Sequence, residues 1–229
     1  MKYFLIIILI SFSGEVLGQN PVQQDEDLNV PEYVTDIDGN HYLVITIGDQ
    51  VWLAENLRTL HFNNGDPIPT TYPNTRSVQT EPMPVYQWVY DGIEKNLKTY
   101  GALYTWAAAN DERGLCPCGW HIPSKGEWNR LFEHLGGQSE AGGKMKEASS
   151  QHWSELNVGA TNESAFRALP SGGRTPDGFF QGIGIHTAWW MTTPGHFINI
   201  EYDDPYVYHP YFYQSEYHGF PVRCIRDKS

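Results

Sequence analysis

The fold is decided by the stretch Leu115-Cys-Pro-Cys-Gly-Trp-His-Ile-Pro-Ser-Lys-Gly-Glu-Trp128, which joins two of the chain's three cysteines to the start of a helix. Ser124 and Glu127 form a capping box, in which each side chain accepts a hydrogen bond from the other residue's backbone N–H. The box predicts a helix whose apolar residues line one face, because they recur every three or four positions. This face consists of Trp128, Leu131, Phe132 and Leu135.

The three cysteines are Cys116, Cys118 and Cys224, an odd number that leaves one thiol unpaired if a disulfide forms. A bridge between the first two would need a strained ring, because only Pro117 separates them. A bridge from either Cys116 or Cys118 to Cys224 is favoured; it would close a loop of about 109 residues, for which the chain-entropy model gives at most about 4–5 kcal/mol. Zinc is disfavoured, because no second Cys or His pair follows at the usual spacing.

The N-terminus is typical of an exported protein. Lys2 precedes the apolar run Tyr3–Ile10, and small or aliphatic residues stand before Gln19. Residues 1–18 are therefore predicted to be a signal peptide. The run is too short for a membrane anchor. Because Gln19 rather than Cys follows the predicted cleavage site, we expect a secreted or cell-surface protein that is not N-terminally lipidated and does not insert into the membrane after signal removal.

Composition limits the partners. The chain has 229 residues, with 15 Lys and Arg against 27 Asp and Glu, a formal net charge of −12. Nucleic-acid binding is excluded, because it requires basic surface to neutralise phosphates. Adsorption to anionic lipid is disfavoured for the same reason. Aromatic residues form 14% of the chain, which is enough to build a hydrophobic core.

The order of predicted elements indicates an α+β fold. Residues 19–33 read as a flexible leader, and 34–229 as one domain. His41–Ile47 and Gln50–Leu53 are β-rich runs around a tight turn, which predicts a hairpin. Helices are predicted over Thr99–Asp111, after Ser124, and over Ala141–Ala148. Six later segments are strand candidates, namely Phe166–Leu169, Phe179–Ile185, Ala188–Thr192, Phe197–Tyr202, Tyr206–Tyr213 and Phe220–Ile225.

Aromatic residues are concentrated near the C-terminus and provide the candidate ligand-binding residues. These are Trp189, Trp190, Tyr202, Tyr206, Tyr208, Tyr211 and Tyr213. In a straight strand Tyr206 and Tyr208 share one face, whereas Tyr211 and Tyr213 share the other. One face must fill the core, and the other would expose rings and hydroxyls of the kind enriched at binding surfaces. Packing alone is the competing interpretation.

No catalytic residue is predicted. The chain lacks the common zinc-protease, serine-hydrolase, P-loop and dinucleotide-binding motifs. Acidic residues do cluster, as in Glu201, Asp203 and Asp204, and calcium would accept such oxygen ligands. Turn formation and solvated charge explain the same clusters. No cofactor is therefore predicted; calcium is the one ion considered, and metal ligands are left unassigned.

Seven strings, taken together and in order, resemble one protein family. They are Asp36-Ile-Asp-Gly-Asn40, Trp52-Leu-Ala-Glu-Asn-Leu57, Tyr100-Gly-Ala-Leu-Tyr104, Cys116-Pro-Cys-Gly-Trp-His121 with Pro123-Ser124 and Glu127-Trp128, Gly159-Ala-Thr-Asn-Glu-Ser164, Ala168-Leu-Pro170 and Gly219-Phe-Pro-Val-Arg-Cys-Ile-Arg226. The chain resembles the Fibrobacter succinogenes major paralogous domain, which is abundant in exported proteins of Bacteroidetes and Fibrobacteres. The resemblance covers about residues 34–227.

The resemblance has several implications. It implies a loop-rich C-type-lectin-like fold, shared with formylglycine-generating enzymes, in which two helices pack on a twisted antiparallel sheet. It implies that Cys116 pairs with Cys224 and leaves Cys118 as a free thiol. The enzymes carry a catalytic cysteine pair on the segment that corresponds to Tyr206–Tyr217, which has no cysteine here. The calcium-binding motifs of lectins are also missing.

We therefore expect an exported, non-catalytic binding module that presents its late aromatic strands and loops to a glycan or a surface protein. One alternative is a structural subunit of a cell-surface or appendage assembly. The other is an unrecognised enzyme of the formylglycine-generating type.

Overall fold

The computed structural model describes residues 31–210 and 215–228. The predicted signal peptide and the candidates Tyr211 and Tyr213 lie outside these residues. The strands of the described part are β1 Tyr33–Thr35, β2 His41–Ile47, β3 Gln50–Leu53, β4 Gln87–Trp88, β5 Leu103–Tyr104, β6 Trp120–His121, β7 Ser171–Arg174, β8 Phe180–Ile183, β9 His186–Trp190, β10 Phe197–Glu201 and β11 Ile225–Arg226. Its α-helices are α1 Glu94–Tyr100, α2 Trp106–Ala109, α3 Lys125–His134 and α4 Gln138–Met145.

The strands form three sheets. The first sheet has the order β1-β2-β3-β11-β6, and all its neighbours are antiparallel. The second sheet has the order β10-β9-β7-β8, in which only the β7–β9 pair is parallel. Strands β4 and β5 pair separately. Short helices beside mainly antiparallel sheets confirm the α+β class.

The disulfide joins distant parts of the chain. Cys116 and Cys224 are bonded across 108 residues, and Cys118 is a free, exposed cysteine. Cys116 lies just before β6, and Cys224 lies just before β11, which pairs with β6. The disulfide is buried in a core cluster with Tyr104, Trp190 and Phe220. This confirms the pairing that the resemblance implied.

A second core cluster lies between helix α3 and the central strands. Trp52, Trp128, Phe166 and Trp189 are fully buried there. Their rings are in contact, with centroids 4.9 Å apart for Trp52 and Trp128 and 5.9 Å apart for Trp128 and Trp189. Such ring contacts stabilise a core beyond the area that they bury. The predicted apolar face of α3 is therefore confirmed as a core face.

Two predicted elements with local signals are confirmed. Ser124 Oγ accepts from the Glu127 N–H at 3.3 Å, and Glu127 Oε2 accepts from the Ser124 N–H at 2.8 Å. Strands β2 and β3 form the predicted hairpin, with Ile45 opposite Trp52. Gly48 makes its turn with φ 61°, a left-handed conformation that glycine adopts without strain.

The predicted helix over Thr99–Asp111 is wrong. Helix α1 ends at Tyr100, and Gly101 then takes φ 85°. A Cβ on Gly101 would lie 2.7 Å from the carbonyl oxygen of Leu57, so only glycine fits this close approach. The chain continues as β5, which pairs with β4, and Thr105 then caps the short helix α2. Tertiary contacts override the helical periodicity here.

Two predicted strands are also absent as regular elements. The segment predicted over Phe166–Leu169 forms only an isolated bridge between Ala168 and Lys146. Arg167 has φ 50°, outside the strand region. The segment predicted over Tyr206–Tyr213 forms, in its described part, one bridge between Tyr208 and Asn199.

His121 of β6 contacts both the residue after β11 and the first turn of α3, and this arrangement gives a pH prediction. His121 Nδ1 lies 2.6 Å from Asp227 Oδ1, and Nε2 lies 2.9 Å from Glu127 Oε1. Partial burial disfavours the charged ring, but the hydrogen bonds with Asp227 and Glu127 outweigh it and raise the pKa of His121.

We expect His121→Gln to reduce stability more at pH 5.5 than at pH 8. The raised pKa means that the folded state binds a proton more tightly, so this stabilisation is complete below the unfolded pKa and is lost as pH rises through the folded pKa. Because the side chain is partly exposed, the difference should stay below about 1 kcal/mol. Urea unfolding at both pH values measures it, and an equal loss at both would contradict the assignment.

Candidate functional site

The aromatic candidates divide into buried and exposed residues. Trp189 and Trp190 are fully buried, and their indole N–H groups donate to Asn56 Oδ1 at 2.8 Å and to the Tyr104 carbonyl at 2.6 Å. Both indoles are therefore core residues that present no ring face to a ligand. Tyr206 and Tyr208 are 48% and 41% exposed. Tyr202 is half-buried and packs against the second core cluster.

Strand β10 separates a core face from an outer face. Ile198 and Ile200 are fully buried, whereas Asn199 and Glu201 alternate with them and are half-buried. Successive side chains of a strand point to opposite faces, so the two polar residues lie on the other side of the sheet. Glu201 pairs with His186 of β9, which places His186 on the same side.

The two exposed tyrosines extend this polar side. Tyr208 and Asn199 exchange both backbone hydrogen bonds, at 2.9 and 2.8 Å, so their side chains lie on one face. Val207 is buried in the second core cluster, as the alternation requires. The rings of Tyr206 and Tyr208 have centroids 6.3 Å apart and planes inclined by 27°. We call the surface formed by Gln181, His186, Asn199, Glu201, Tyr206 and Tyr208 the outer face.

A groove of about 280 Å³ crosses the outer face. Gln181, His186, Asn199 and Glu201 line it together with Phe220. Strand β7 contributes Gly173 to the lining, and the Phe220 ring packs so closely on this glycine that an added Cβ would lie 2.9 Å from it. The groove therefore combines an aromatic wall with amide, imidazole and carboxylate groups and the buried guanidinium of Arg174. Aromatic walls with a few placed polar groups are usual in small-ligand sites.

Hydrogen bonds between neighbouring side chains orient the polar groups of the outer face. The Asn199 amide donates to Glu201 Oε1 at 2.9 Å. The Tyr208 hydroxyl donates to Asp204 Oδ2, and this hydrogen bond raises the pKa of Tyr208 to about 12. Burial lowers the pKa of His186. At neutral pH the outer face thus offers a neutral imidazole and acidic hydrogen-bond acceptors.

A buried lysine holds the turn that carries the tyrosines. Lys146 Nζ donates to the carbonyl oxygens of Val158, Glu201 and Asp204 at 2.8, 2.9 and 2.9 Å. Burial lowers the pKa of Lys146 to about 8. Helix α4 packs closely against the same turn, since a Cβ on Gly142 would lie 2.5 Å from the Tyr206 carbonyl oxygen. The tyrosines therefore stand on a rigid support.

The described residues contain no group of three or more His, Cys, Asp or Glu placed to hold a metal ion. The expectation that the domain has no cofactor stays a prediction, with calcium as the one ion considered. Within the same residues, no helix combines the length and apolar character that crossing a bilayer requires.

A comparison with protein families identifies a family that this chain matches. The sequence profile of the Fibrobacter succinogenes major domain matches residues 45–226. The chain belongs to this family. The match lies within the domain predicted over residues 34–229, whose outer bounds stay a prediction. Neither the comparison with curated proteins nor that with solved structures returned a match.

In this Fibrobacter succinogenes major domain, several of the strings that carry the resemblance belong to the scaffold. Trp52, Asn56, Trp128 and Arg223 from these strings are buried. The outer face lies largely outside the strings. Sequence reasoning identified Tyr206 and Tyr208 by aromatic density but missed Gln181, His186 and Asn199, which show no local signal and meet only through strand pairing.

Proposed function

We propose that this Fibrobacter succinogenes major domain is an exported, non-catalytic module that binds a carbohydrate on its outer face. The observation that supports this most directly is the pair of near-parallel rings of Tyr206 and Tyr208 beside a groove with polar side chains. The C-type-lectin-like ancestry that the resemblance implies is part of the proposal.

The chemistry of the outer face suits a sugar. Exposed tyrosine rings provide an apolar face with a hydroxyl at its rim, which matches the alternating C–H and O–H surface of a pyranose. Glu201, Asp204 and Asn199 provide oxygens that accept hydrogen bonds from sugar hydroxyls. The hydrogen bonds within this set orient the acceptors before binding, which lowers the entropy cost of association.

The acidic acceptors also argue against an anionic ligand at the outer face, because Glu201, Asp203 and Asp204 concentrate negative charge there. A neutral saccharide meets no such repulsion. A surface protein is the competing partner, and a direct binding experiment separates the two.

We expect Tyr208→Ala to weaken saccharide binding at least about tenfold, because loss of an aromatic ring that contacts the ligand is expected to cost about 1.4 kcal/mol or more. A glycan array with the purified protein would identify the saccharide, and calorimetry would measure the affinity. Tyr206→Ala should act in the same direction.

Tyr33→Ala is the matched control, because Tyr33 is an exposed tyrosine on strand β1 and outside the outer face. It should leave the affinity unchanged. Absence of binding to every saccharide on the array, or equal affinity of the Tyr208 and Tyr33 variants, would remove the proposal.

A further inference from the structure

A second cleft, of about 580 Å³, lies where the segment after β3 meets the end of α1 and the loop after α4. Its lining includes the cations Arg58, Lys98, Arg167 and Arg223. Four of the 15 Lys and Arg residues thus gather in one cleft of a chain whose net charge is −12. Among the described lining residues, Glu55 is the only carboxylate.

A fully buried guanidinium forms part of the lining. Arg223 donates to Asn56 Oδ1 at 2.9 and 3.1 Å, to the Leu53 carbonyl at 3.1 Å and to the Phe166 carbonyl at 2.7 Å. All these acceptors are neutral, so the hydrogen bonds orient the group without cancelling its charge. A charge that is shielded from water acts strongly on an anion nearby, and the Glu55 carboxylate offsets only part of it.

Two further cations of the cleft form only weak ion pairs within the protein. The Arg167 side chain is 55% exposed and approaches Glu147 only to 3.8 Å. The Asn162 side chain accepts from the Arg167 N–H at 2.8 Å and fixes the left-handed backbone that presents Arg167 at the cleft. Lys98 pairs with Glu94, and both side chains are more than 70% exposed, so this pair contributes little and can be exchanged for a ligand.

Arg58 is the cation whose charge is most fully offset. It forms an ion pair with Glu55 and donates to the His41 carbonyl at 2.7 Å. Glu55 therefore competes directly with any anion for Arg58. This competition gives a substitution that should strengthen binding.

A histidine adds a further polar group to the cleft. His152 Nδ1 lies 2.7 Å from Glu147 Oε2, so Nδ1 carries the hydrogen that the carboxylate accepts. In the neutral ring this leaves Nε2 as an acceptor. Gln151 also lines the cleft. Cations beside groups that bind hydroxyls suit a ligand with both an acid group and hydroxyls.

We propose that this cleft binds the carboxylate of an acidic sugar, with Arg58, Lys98 and Arg167 contacting the carboxylate and Arg223 supplying positive potential behind them. The cleft shares none of its described lining residues with the outer face. Carbohydrate binding at the outer face and acidic-sugar binding at the cleft are therefore separate proposals, and an experiment can disprove one without disproving the other.

Calorimetric titration of the purified protein with glucuronate, with inorganic sulfate and with glucose tests the proposal. Glucuronate should bind most tightly, sulfate more weakly and glucose not measurably. Glucose binding equal to that of glucuronate would overturn the charge argument. Sulfate binding equal to that of glucuronate would overturn the sugar assignment.

Variants locate the binding at the cleft. Arg167→Gln should weaken glucuronate binding at least about tenfold, because it removes a charged donor. Arg58→Gln should act in the same direction. Glu55→Gln should instead tighten it severalfold, because it frees Arg58 for the ligand. Lys95→Gln is the control, since Lys95 is an exposed lysine on the same helix as Lys98 but does not line the cleft.

Unchanged affinity in both arginine variants, or weaker binding in Glu55→Gln, would overturn the proposal. Arg167 is exposed, so its variant keeps the fold and tests the site even if the Arg58 variant is less stable. Tyr208→Ala should leave glucuronate binding at the cleft intact.

Discussion

Replacement of both Cys116 and Cys224 by alanine is expected to lower the free energy of unfolding by about 4–5 kcal/mol. The bond links residues 108 positions apart, and its loss releases a long loop in the unfolded chain. Both cysteines also lie in the first core cluster, where β6 and β11 pair. Urea unfolding measured for the oxidised wild type and for the double variant gives the difference.

Cys118→Ala is the matched control for this measurement. Its thiol is exposed and free, so its loss should change stability by less than about 0.5 kcal/mol. A double variant within about 1 kcal/mol of the wild type would show that the disulfide does not restrict the unfolded chain as the entropy model requires.

Arg223→Met is the second substitution with a large expected effect. It should lower the free energy of unfolding by about 3–5 kcal/mol. The guanidinium makes four hydrogen bonds to three neutral acceptors, and its Cζ lies 4.3 Å from the centroid of the Phe166 ring. Methionine fills much of the volume but leaves the Leu53 and Phe166 carbonyls without this donor. Burial lowers the pKa of Arg223 to about 9, so the lost group is charged at pH 7.

The partner of Arg223 provides a test of mechanism. Asn56→Leu alone should also be strongly destabilising, because it leaves a buried guanidinium and the Trp189 N–H without their shared acceptor. The variant that combines Arg223→Met with Asn56→Leu should lose less free energy of unfolding than the sum of the two single losses, by at least about 1 kcal/mol.

Arg130→Met serves as the control, because its ion pair with Asp49 is solvent-exposed and should contribute little to stability. If the losses in the Arg223 and Asn56 variants simply add, the hydrogen bonds between these residues do not stabilise the fold as a unit.

Elements with local determinants could be predicted from the sequence. The capping box at Ser124 and Glu127 starts α3 because both partners lie within one turn of chain. The hairpin of β2 and β3 needs only a turn glycine between two β-branched runs. The helix predicted over Thr99–Asp111 failed because Gly101 is required by its contact with Leu57, which is distant in sequence.

The candidate site was only partly predictable for a similar reason. From aromatic density alone, Trp189, Trp190, Tyr206 and Tyr208 were equally good candidates for ligand binding. The register between β9, β10 and the segment at Tyr208 then decides which of these rings meet solvent. The indoles enter the two core clusters, whereas the tyrosines pair with the polar side of β10.

By itself, the sequence determined the family, the α+β class and, through the family resemblance, the pairing of Cys116 with Cys224. These properties depend on residue types in a fixed order along the chain. Only the tertiary structure decided which aromatic rings are exposed and that Arg58, Lys98, Arg167 and Arg223 line one cleft. The reason is that exposure and charge clustering depend on contacts between segments far apart in sequence, and no local pattern encodes those contacts.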